Sequence, residues 1–403
     1  MTHLYSVMLK LLRSSLGQVS SSDLFTSEEI LQLTSPESVR MLSILSGKHD
    51  ISHLVGKALY SLGVPHTGDG MEGFRKVQIQ VVYRYEQLQY TLKELSGMFT
   101  DIQIPFIPLK GSVLRQYYPE PEMRTSCDID ILISPDHLEA VSQTLTAKLY
   151  YREIRTTAHD VQFLSPNGVL LELHFTLMDD KDYPEIAEIL SKVWEYALPA
   201  ADLPFRYELS PAFSYFYHTA HMVKHFLYGG CGIRTLMDLW IYNHCYPVSC
   251  RPESIALLTA GGIKTFEEIV YTISENWFSG TAYPPEQEAF LQQVEEYIIR
   301  GGIYGSTENK VRLSRSAEKN GLVYLLARLF PSMQRMKSEF PILQKLPPLL
   351  PFCYICRWFR LLSGKTGRRV LHELQVNSTV SAKEREDMQK MLSGMALNAH
   401  IIT

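Results

Sequence analysis

The chain has 403 residues, of which 45% are hydrophobic and 20% are charged. This composition is typical of an ordered globular protein, and it excludes a disordered or fibrous chain. The formal net charge is −4, so the chain lacks the basic balance of proteins that bind extended nucleic acid. A local basic patch stays compatible with this charge.

The sequence lacks the apolar run of roughly 18 residues that a membrane span needs. Lys10 and Arg13 interrupt the N-terminal apolar stretch too early for a signal peptide, so this stretch predicts an amphipathic helix. Six cysteines are too few for a disulfide scaffold, and Cys353 with Cys356 lacks the second pair of a structural zinc site. We therefore predict a cytoplasmic protein without a membrane partner.

The first hundred residues carry helical signals. Thr26–Glu29 fits a capping box, and Ser35 followed by Pro36 predicts a second helix start. Residues 65–73 predict a loop, and a long helix is expected from about Phe74 to Phe99. Its predicted apolar stripe consists of Tyr83, Leu88, Leu92 and Leu95.

The pattern then changes from helical to extended. Ile104–Leu109 is an apolar run with two prolines, which predicts an edge strand or a strand start. Cys127–Ile133 alternates and is rich in isoleucine, as in a second strand. Val161–Leu164 and Val169–Phe175 predict a β-hairpin, with Gly168 at the positive-φ position of its turn.

Helical signals return from about Pro211, and Ser381–Glu384 fits a capping box that opens a C-terminal helix. We interpret the sequence as an α+β fold with a small mixed-sheet core. The predicted regions are an N-terminal helical region at 1–84, the α/β core at 85–205, and a mainly helical C-terminal region at 206–403.

Asp128 and Asp130 are two residues apart on a predicted strand, so their side chains point to the same face. Two carboxylates on one face repel each other unless a cation lies between them. Oxygen ligands suit a hard ion such as Mg²⁺ or Mn²⁺, and a carboxylate pair is what a two-metal phosphoryl-transfer site needs. Glu172, which interrupts an apolar strand, is the best candidate for a third metal-binding carboxylate.

Lys110, Gly111 and Ser112 lie between a predicted strand and a predicted helix. Gly111 lets the backbone approach a phosphate, and the helix start offers free N–H groups. Lys110 would contact phosphate oxygens as a point charge. The alternative is an ordinary strand-to-helix turn, and the position just before the aspartate pair favours the phosphate interpretation.

Arg124 precedes the aspartate strand by four residues. It is a candidate for binding a nucleotide phosphate, and a structural ion pair is the alternative. Arg234 and Asp238 are one helical turn apart and are expected to brace their region.

Four histidines are candidate pocket residues. His218, His221 and His225 share one face of a predicted helix. This face either lines the nucleotide or acceptor pocket or packs on the core, and zinc binding is the weakest alternative, since no cysteine or carboxylate joins them at matching spacing. His174 shares the face of Glu172 and is expected either to relay a proton or to support the site.

Together these segments resemble the nucleotidyltransferase (DNA polymerase β-like) superfamily, and more narrowly a bacterial family of uncharacterised nucleotidyltransferases. The matching segments are Leu109–Gly111, Tyr118–Arg124, Asp128–Asp130, Glu172–His174, His221–His225 with Arg234 and Asp238 after it, and Leu346–Pro351.

The resemblance implies transfer of a nucleoside monophosphate from a nucleoside triphosphate to an acceptor. In this hypothesis two Mg²⁺ or Mn²⁺ ions bind to Asp128, Asp130 and Glu172. Glu172 also helps to deprotonate the acceptor hydroxyl, and Lys110–Ser112 holds the polyphosphate.

Two alternatives stay open. One is a non-catalytic nucleotide-binding or partner-binding protein that keeps the fold. The other is a toxin-type enzyme that modifies RNA or protein. The acidic balance of the chain slightly favours a small-molecule acceptor over RNA or protein.

Overall fold

The computed structural model describes residues 3–17, 24–64, 69–178, 183–246, 248–317, 321–362 and 364–398. Contacts group the chain into two units, Met1–Met222 with Ile233–Glu288, and Val223–Gly232 with Ala289–Thr403. Among the described helices, none combines the length and the apolarity of a membrane span. The three regions expected from the sequence differ from these two units in their boundaries. The division into three regions stays a prediction.

The first unit begins with the described helices α1 (His3–Ser15), α2 (Ser27–Leu33), α3 (Pro36–Lys48), α4 (Ser52–Ser61) and α5 (Asp69–Asp101). Capping residues were predicted for α2 and α3. The Thr26 hydroxyl accepts a hydrogen bond from the Glu29 backbone N–H, and the Ser35 hydroxyl accepts one from Ser38. Both predicted helix starts are therefore confirmed. The amphipathic helix α1 buries its apolar side, as expected.

Helix α5 is the long predicted helix, and it starts earlier than expected. Residues 69–73 are helical rather than a loop, because packing of α5 against α4 offsets the low helix propensity of glycine. Residues 65–68 of the expected loop lie outside the described residues. Leu88 is buried as predicted, but Tyr83 is 65% exposed. At about 100° per residue, Tyr83 lies about 140° around the helix from Leu88, so its assignment to the apolar stripe was wrong.

The predicted strands form a five-stranded mixed sheet in the order β1-β2-β5-β4-β3. The strands are β1 (Phe106–Leu109), β2 (Asp128–Ile133), β3 (Arg152–Thr156), β4 (Asp160–Leu164) and β5 (Leu170–His174). Strand β1 lies at an edge, as its prolines predict, and β4 with β5 forms the expected hairpin, with Gly168 at a φ of 81°. Strands β2 and β5 pair in parallel, whereas the other pairs are antiparallel. The α+β fold is confirmed.

Three strands were missed from the sequence. All five residues of β3 are exposed, so this edge strand lacks the alternation that marks a half-buried strand. Strands β6 (Ala197–Pro199) and β7 (Tyr207–Leu209) form a separate two-stranded sheet. With three residues each, they are too short to show a periodic pattern.

Helices lie between several of the strands and after the sheets, and the last described helix ends at Gly394. In and around the first unit they are α6 (Gly111–Leu114), α7 (Leu138–Ala147), α8 (Pro184–Ser191), α9 (Pro211–Leu227), α10 (Gly232–Cys245), α11 (Arg251–Ala260) and α12 (Lys264–Ser274). In the second unit they are α13 (Glu288–Gly301), α14 (Thr307–Ala317), α15 (Gly321–Leu329), α16 (Met333–Glu339), α17 (Ile342–Lys345), α18 (Leu350–Leu362), α19 (Gly364–Thr379) and α20 (Ala382–Gly394). The capping box predicted at Ser381 and Glu384 opens α20 and is confirmed.

The core of the first unit covers the face of the sheet that lies opposite the aspartates. Ile129, Ile131 and Ile133 of β2 are buried there. They form one cluster with Leu171 and Leu173 of β5 and with apolar residues of α5 and α7. Because successive strand residues alternate, this packing directs the side chains of Asp128 and Asp130 to the other face. The apolar face of the sheet therefore fixes the orientation of the candidate site.

Candidate metal centre

The register of the sheet brings Asp130 and Glu172 side by side. Asp130 of β2 pairs directly with Glu172 of the parallel strand β5, and on its other side with Leu109 of β1. Lys110, the next residue after β1, extends its Nζ to 2.5 Å from Asp130 Oδ1 and to 3.8 Å from Glu172 Oε2. Three segments that are distant in sequence thus place two carboxylates around one ammonium group.

His174 lies two residues beyond Glu172 on β5 and therefore shares its face. Its Nε2 is 2.9 Å from Asp130 Oδ1 and 3.7 Å from Glu172 Oε2. One ligand atom from each of Asp130, Glu172 and His174 lies within 4.8 Å of the others. The His174 Nδ1 is buried and has no hydrogen-bond partner among the residues that the structure describes. Two carboxylates and one imidazole at this spacing fit a divalent metal ion.

Asp128 lies at the start of β2 and is half-buried. Ser126 Oγ donates a hydrogen bond to its Oδ1 at 2.9 Å. Burial and the negative charge of Asp130 raise the pKa of the Asp128 carboxyl. Of the three predicted metal ligands, the structure brings Asp130 and Glu172 together with His174, whereas Asp128 lies beside this group. A metal-binding role of Asp128 stays a prediction.

Opposing charges set the protonation of the cluster. Burial by itself lowers the pKa of Lys110, but the adjacent Asp130 carboxylate raises it above its ordinary value. Burial by itself raises the pKa of Asp130, but the charge of Lys110 and the contact with His174 bring it below its ordinary range. Burial and the charge of Asp130 raise the pKa of Glu172 to about 7. Near neutral pH, Glu172 therefore exchanges a proton while Asp130 stays ionised.

This arrangement predicts that metal binding depends on pH. Because a proton and a metal ion compete for the Glu172 carboxylate, affinity for Mn²⁺ should fall by roughly tenfold per pH unit as the pH decreases below about 7. Calorimetric titration with Mn²⁺ over a pH series measures this dependence. The Glu172→Gln variant cannot ionise at this position. The part of the pH dependence of Mn²⁺ affinity that comes from Glu172 should therefore disappear in it. A variant that keeps the full slope would assign the titration to another group.

Gln162 and Asp160 support the cluster, and the sequence analysis missed both. Gln162 of β4 pairs directly with Glu172, and its Nε2 donates to Glu172 Oε1 at 3.1 Å and to Asp160 Oδ2 at 3.3 Å. Asp160 is buried and faces His174 in the register. The sequence pattern did not predict this pairing. Leu164 pairs with Leu170 across five residues, whereas the expected four-residue turn would place Val161 opposite Glu172.

The turn at Lys110 is built on close backbone packing. Lys110 has a positive φ of 47°, and the following helix α6 is a single turn that contains Ser112. A Cβ added at Gly111 would lie 3.0 Å from Ser126 Cβ and 3.1 Å from Ser126 Oγ. Since Ser126 holds the Asp128 carboxylate, the absence of a side chain at Gly111 lets the turn approach the metal-binding strand.

Gly111→Ala should therefore destabilise the fold by about 1–3 kcal/mol, as overpacking of a tight contact does. The matched control is Gly97→Ala in α5, where an added Cβ would meet no atom within 4 Å. Alanine at that helical position should be neutral or stabilise the protein by up to about 1 kcal/mol. Urea unfolding curves of both variants measure the difference. Equal stability of the two variants would contradict the close approach.

Arg124 is held in a buried ion pair. Its Nε donates to Asp238 Oδ1 at 2.6 Å, and the Tyr118 hydroxyl donates to the same oxygen at 2.6 Å. The Arg124 Nη1 also donates to the Thr125 carbonyl. Arg234 binds Asp50 instead of Asp238. In the structure Arg124 thus forms a structural ion pair, which was the alternative to phosphate binding.

The histidines of α9 lie apart from the metal cluster. His218 lines a cavity beside Lys110, and the ring of His221 lies 6.2 Å from that of Tyr217. Over the described residues, the donor group of Asp130, Glu172 and His174 is the one metal-compatible cluster, and it does not include His218, His221 or His225. The zinc alternative gains no support from this geometry.

The fold and the cluster define a class of site: a mixed sheet that presents an Asp–Glu–His group compatible with a divalent metal. Residues 37–279 match the sequence model of the family described as "Uncharacterised nucleotidyltransferase". This match covers more than half of the chain, and the chain belongs to that family. No curated protein matches the sequence. Family membership supports a transferase role in general, and the segment Leu346–Pro351 lies outside the matched residues.

Proposed function

We propose that this protein is a metal-dependent nucleotidyltransferase that moves a nucleoside monophosphate from a nucleoside triphosphate to a hydroxyl group and releases pyrophosphate. The observation that carries the proposal is the direct pairing of Asp130 with Glu172 beside Lys110. A buried charge is costly unless it is paired, and charge clusters whose pKa values are shifted occur preferentially at functional sites. The family match supports the same reaction class.

We assign Asp128, Asp130 and Glu172 to two Mg²⁺ or Mn²⁺ ions, with His174 next to them. When bound, such ions neutralise charge on the polyphosphate and lower the pKa of an acceptor hydroxyl. Gln162 orients the Glu172 carboxylate through the hydrogen bond to Oε1. Glu172 then accepts the proton of the acceptor hydroxyl. The hydroxyl oxygen bonds to the α-phosphorus, and pyrophosphate leaves.

Lys110, Gly111 and Ser112 are assigned to the polyphosphate. In the structure Lys110 neutralises Asp130. We propose that phosphate oxygens replace Asp130 as the partner of the Lys110 ammonium when the nucleotide binds. Arg124 receives a positioning role in place of the expected phosphate contact, because its buried pair with Asp238 holds the segment before β2.

The test incubates the protein with an extract of the source cells, which supplies the acceptor, and with Mg²⁺ or Mn²⁺. Each of the four nucleoside triphosphates is labelled at the γ-phosphate, so that released pyrophosphate carries the label. We expect release of pyrophosphate that requires both the metal and the protein. Metal-dependent nucleotide binding without any pyrophosphate release would instead support the non-catalytic alternative. Failure to bind any of the four nucleotides would contradict the proposal altogether.

A further inference from the structure

A cavity of about 370 Å³ adjoins the metal cluster on the side of Lys110. Its walls come from β1, from the segment after α6, from the β6–β7 hairpin and from helices α9 and α10. Lys110, Tyr217 and His218 line the part closest to the cluster, and Ala200 lines the hairpin side. The cavity lies within the first unit. A ligand in it would therefore contact the same lysine that binds Asp130.

Two hydrogen-bonding groups that line this cavity have no protein partner among the described residues. Tyr217 is only 2% exposed. Throughout the described part of the chain, neither its hydroxyl nor a ring nitrogen of His218 has a hydrogen bond to a protein group. Both residues line the cavity, where water or a bound molecule supplies their hydrogen-bond partners. Burial lowers the pKa of His218 to about 4, which leaves a neutral imidazole.

The charge of the lining indicates what kind of molecule enters. Lys110 is the one cationic side chain among the described lining residues, and Asp130 already neutralises it at 2.5 Å. Glu208 adds a carboxylate at the rim. Arg206 pairs with this carboxylate at 2.7 Å. A polyphosphate bound to Lys110 would thus lie at the edge of the cavity, because the described walls away from Lys110 offer it no cation. Prolines and leucines form the other walls, which suits a neutral molecule with an apolar part.

The size of the cavity separates small molecules from polymers. Small-molecule sites have volumes of about 300–1,000 Å³, and this cavity falls at the lower end of that range. The β6–β7 hairpin closes one side of it. The cavity is partly open. An RNA or a protein could place only one nucleotide or one side chain in it, whereas a small molecule fits as a whole.

We propose that this cavity binds the acceptor, and that the acceptor is a small uncharged molecule with hydroxyl groups and an apolar part. The inference rests on the proposed function and names its second substrate. One acceptor hydroxyl lies toward Lys110 and the metal cluster, while others bond to Tyr217 and His218. The acceptor oxygen bonds to the α-phosphorus, the bond from that phosphorus to the bridging oxygen breaks, and pyrophosphate leaves with the electron pair. The hydroxyl proton passes to Glu172.

The experiment divides an extract of the source cells into an ultrafiltrate of small molecules and the retained macromolecules. Each fraction is incubated with the full-length protein, Mg²⁺ and an α-labelled nucleoside triphosphate. Ala200→Trp fills the cavity from the half-exposed hairpin, and Tyr217→Phe removes only the hydroxyl. Ala140→Trp on the exposed side of α7 is the matched control. Calorimetry with the unlabelled nucleotide and Mg²⁺ measures nucleotide binding in each variant.

We expect a labelled product in the ultrafiltrate with the wild-type protein and with Ala140→Trp. Ala200→Trp should lose at least about tenfold of this transfer, a loss of roughly 1.4 kcal/mol, and Tyr217→Phe about fivefold, as expected for one hydrogen bond. Both should bind the nucleotide like the wild type.

Several outcomes would overturn the acceptor assignment. Label found only in macromolecules would do so, as would full transfer by Ala200→Trp. Loss of nucleotide binding in that variant would place the nucleoside in the cavity instead. If the wild type binds no nucleotide, or transfers label to neither fraction, the proposed function itself fails.

Discussion

Asp130→Asn should lower metal-dependent nucleotide transfer by about 10²-fold or more, the usual loss when a preorganised electrostatic contact to the transition state is removed. The substitution keeps the shape of the side chain and removes its charge. Asp130 is 2% exposed and contacts both Lys110 and His174. It is also the shared neighbour of β1 and β5, so every group of the cluster is arranged around this carboxylate.

The same variant separates a metal-binding role from a structural one. If Asp130 only neutralised Lys110, Asp130→Asn would lower the melting temperature but leave Mn²⁺ binding per folded molecule unchanged. We expect calorimetry to show that Mn²⁺ binding is lost. The Glu172 carboxylate, 3.8 Å from Lys110, still faces this ammonium and helps the variant to fold. Circular dichroism checks that it does.

Asp136→Asn is the matched control. The substitution makes the same chemical change, and Asp136 is an exposed residue just beyond β2. It should keep wild-type transfer and Mn²⁺ binding. Full transfer by Asp130→Asn would remove the metal cluster from the proposed mechanism. Full transfer by Glu172→Gln would be a second, independent result against a role of the metal cluster.

Asp238→Asn should destabilise the folded protein by about 3–5 kcal/mol, the cost of removing one partner from a buried ion pair. The side chains of Asp238 and Arg124 are 10% and 9% exposed. The substitution leaves the Arg124 guanidinium buried without its counter-charge. It also weakens the hydrogen bond from the Tyr118 hydroxyl, which donates to the same oxygen. The free energy of unfolding, from urea titration, measures the loss.

Glu188→Gln is the matched surface control. Glu188 pairs with Lys192 at 3.2 Å, and the two side chains are 74% and 48% exposed. Solvent screens such a pair, so the change should cost at most about 1 kcal/mol. A similar small effect for Asp238→Asn would show that Arg124 is free to bind a ligand. The expected phosphate contact of Arg124 would then regain support.

Asp130 and Arg124 differ in how far the sequence predicts their roles. The strand of Asp130 was predicted because alternation around Ile129, Ile131 and Ile133 is a local property. Glu172 was found because a carboxylate interrupts an apolar strand, which is also visible locally. For Arg124 two alternatives stayed open, because its partner Asp238 lies on a helix more than a hundred residues later. No spacing rule connects residues at such a separation.

The expectations that were wrong or missing have two origins, an error in local helix geometry and a dependence on tertiary contacts. Tyr83 was placed on the buried stripe of α5, although its angular position relative to Leu88 puts it on the exposed side. The exposed edge strand β3 gave no alternation to recognise. Strands β6 and β7 are too short for a periodic signal, yet their hairpin forms one wall of the proposed acceptor cavity. Elements that depend on tertiary contacts rather than on their own pattern therefore escape sequence analysis.

The amino-acid sequence by itself determined the α+β class, the capped helices, the hairpin and the face to which Asp130 and Glu172 point. Local propensities and side-chain alternation are enough for these features. Only the tertiary structure decided that β2 and β5 pair in parallel, which places Glu172 and His174 beside Asp130. It also decided that Lys110 binds Asp130 and that Asp128 lies beside the donor group. Strand order and register are set by packing between distant segments, and no single segment contains that information.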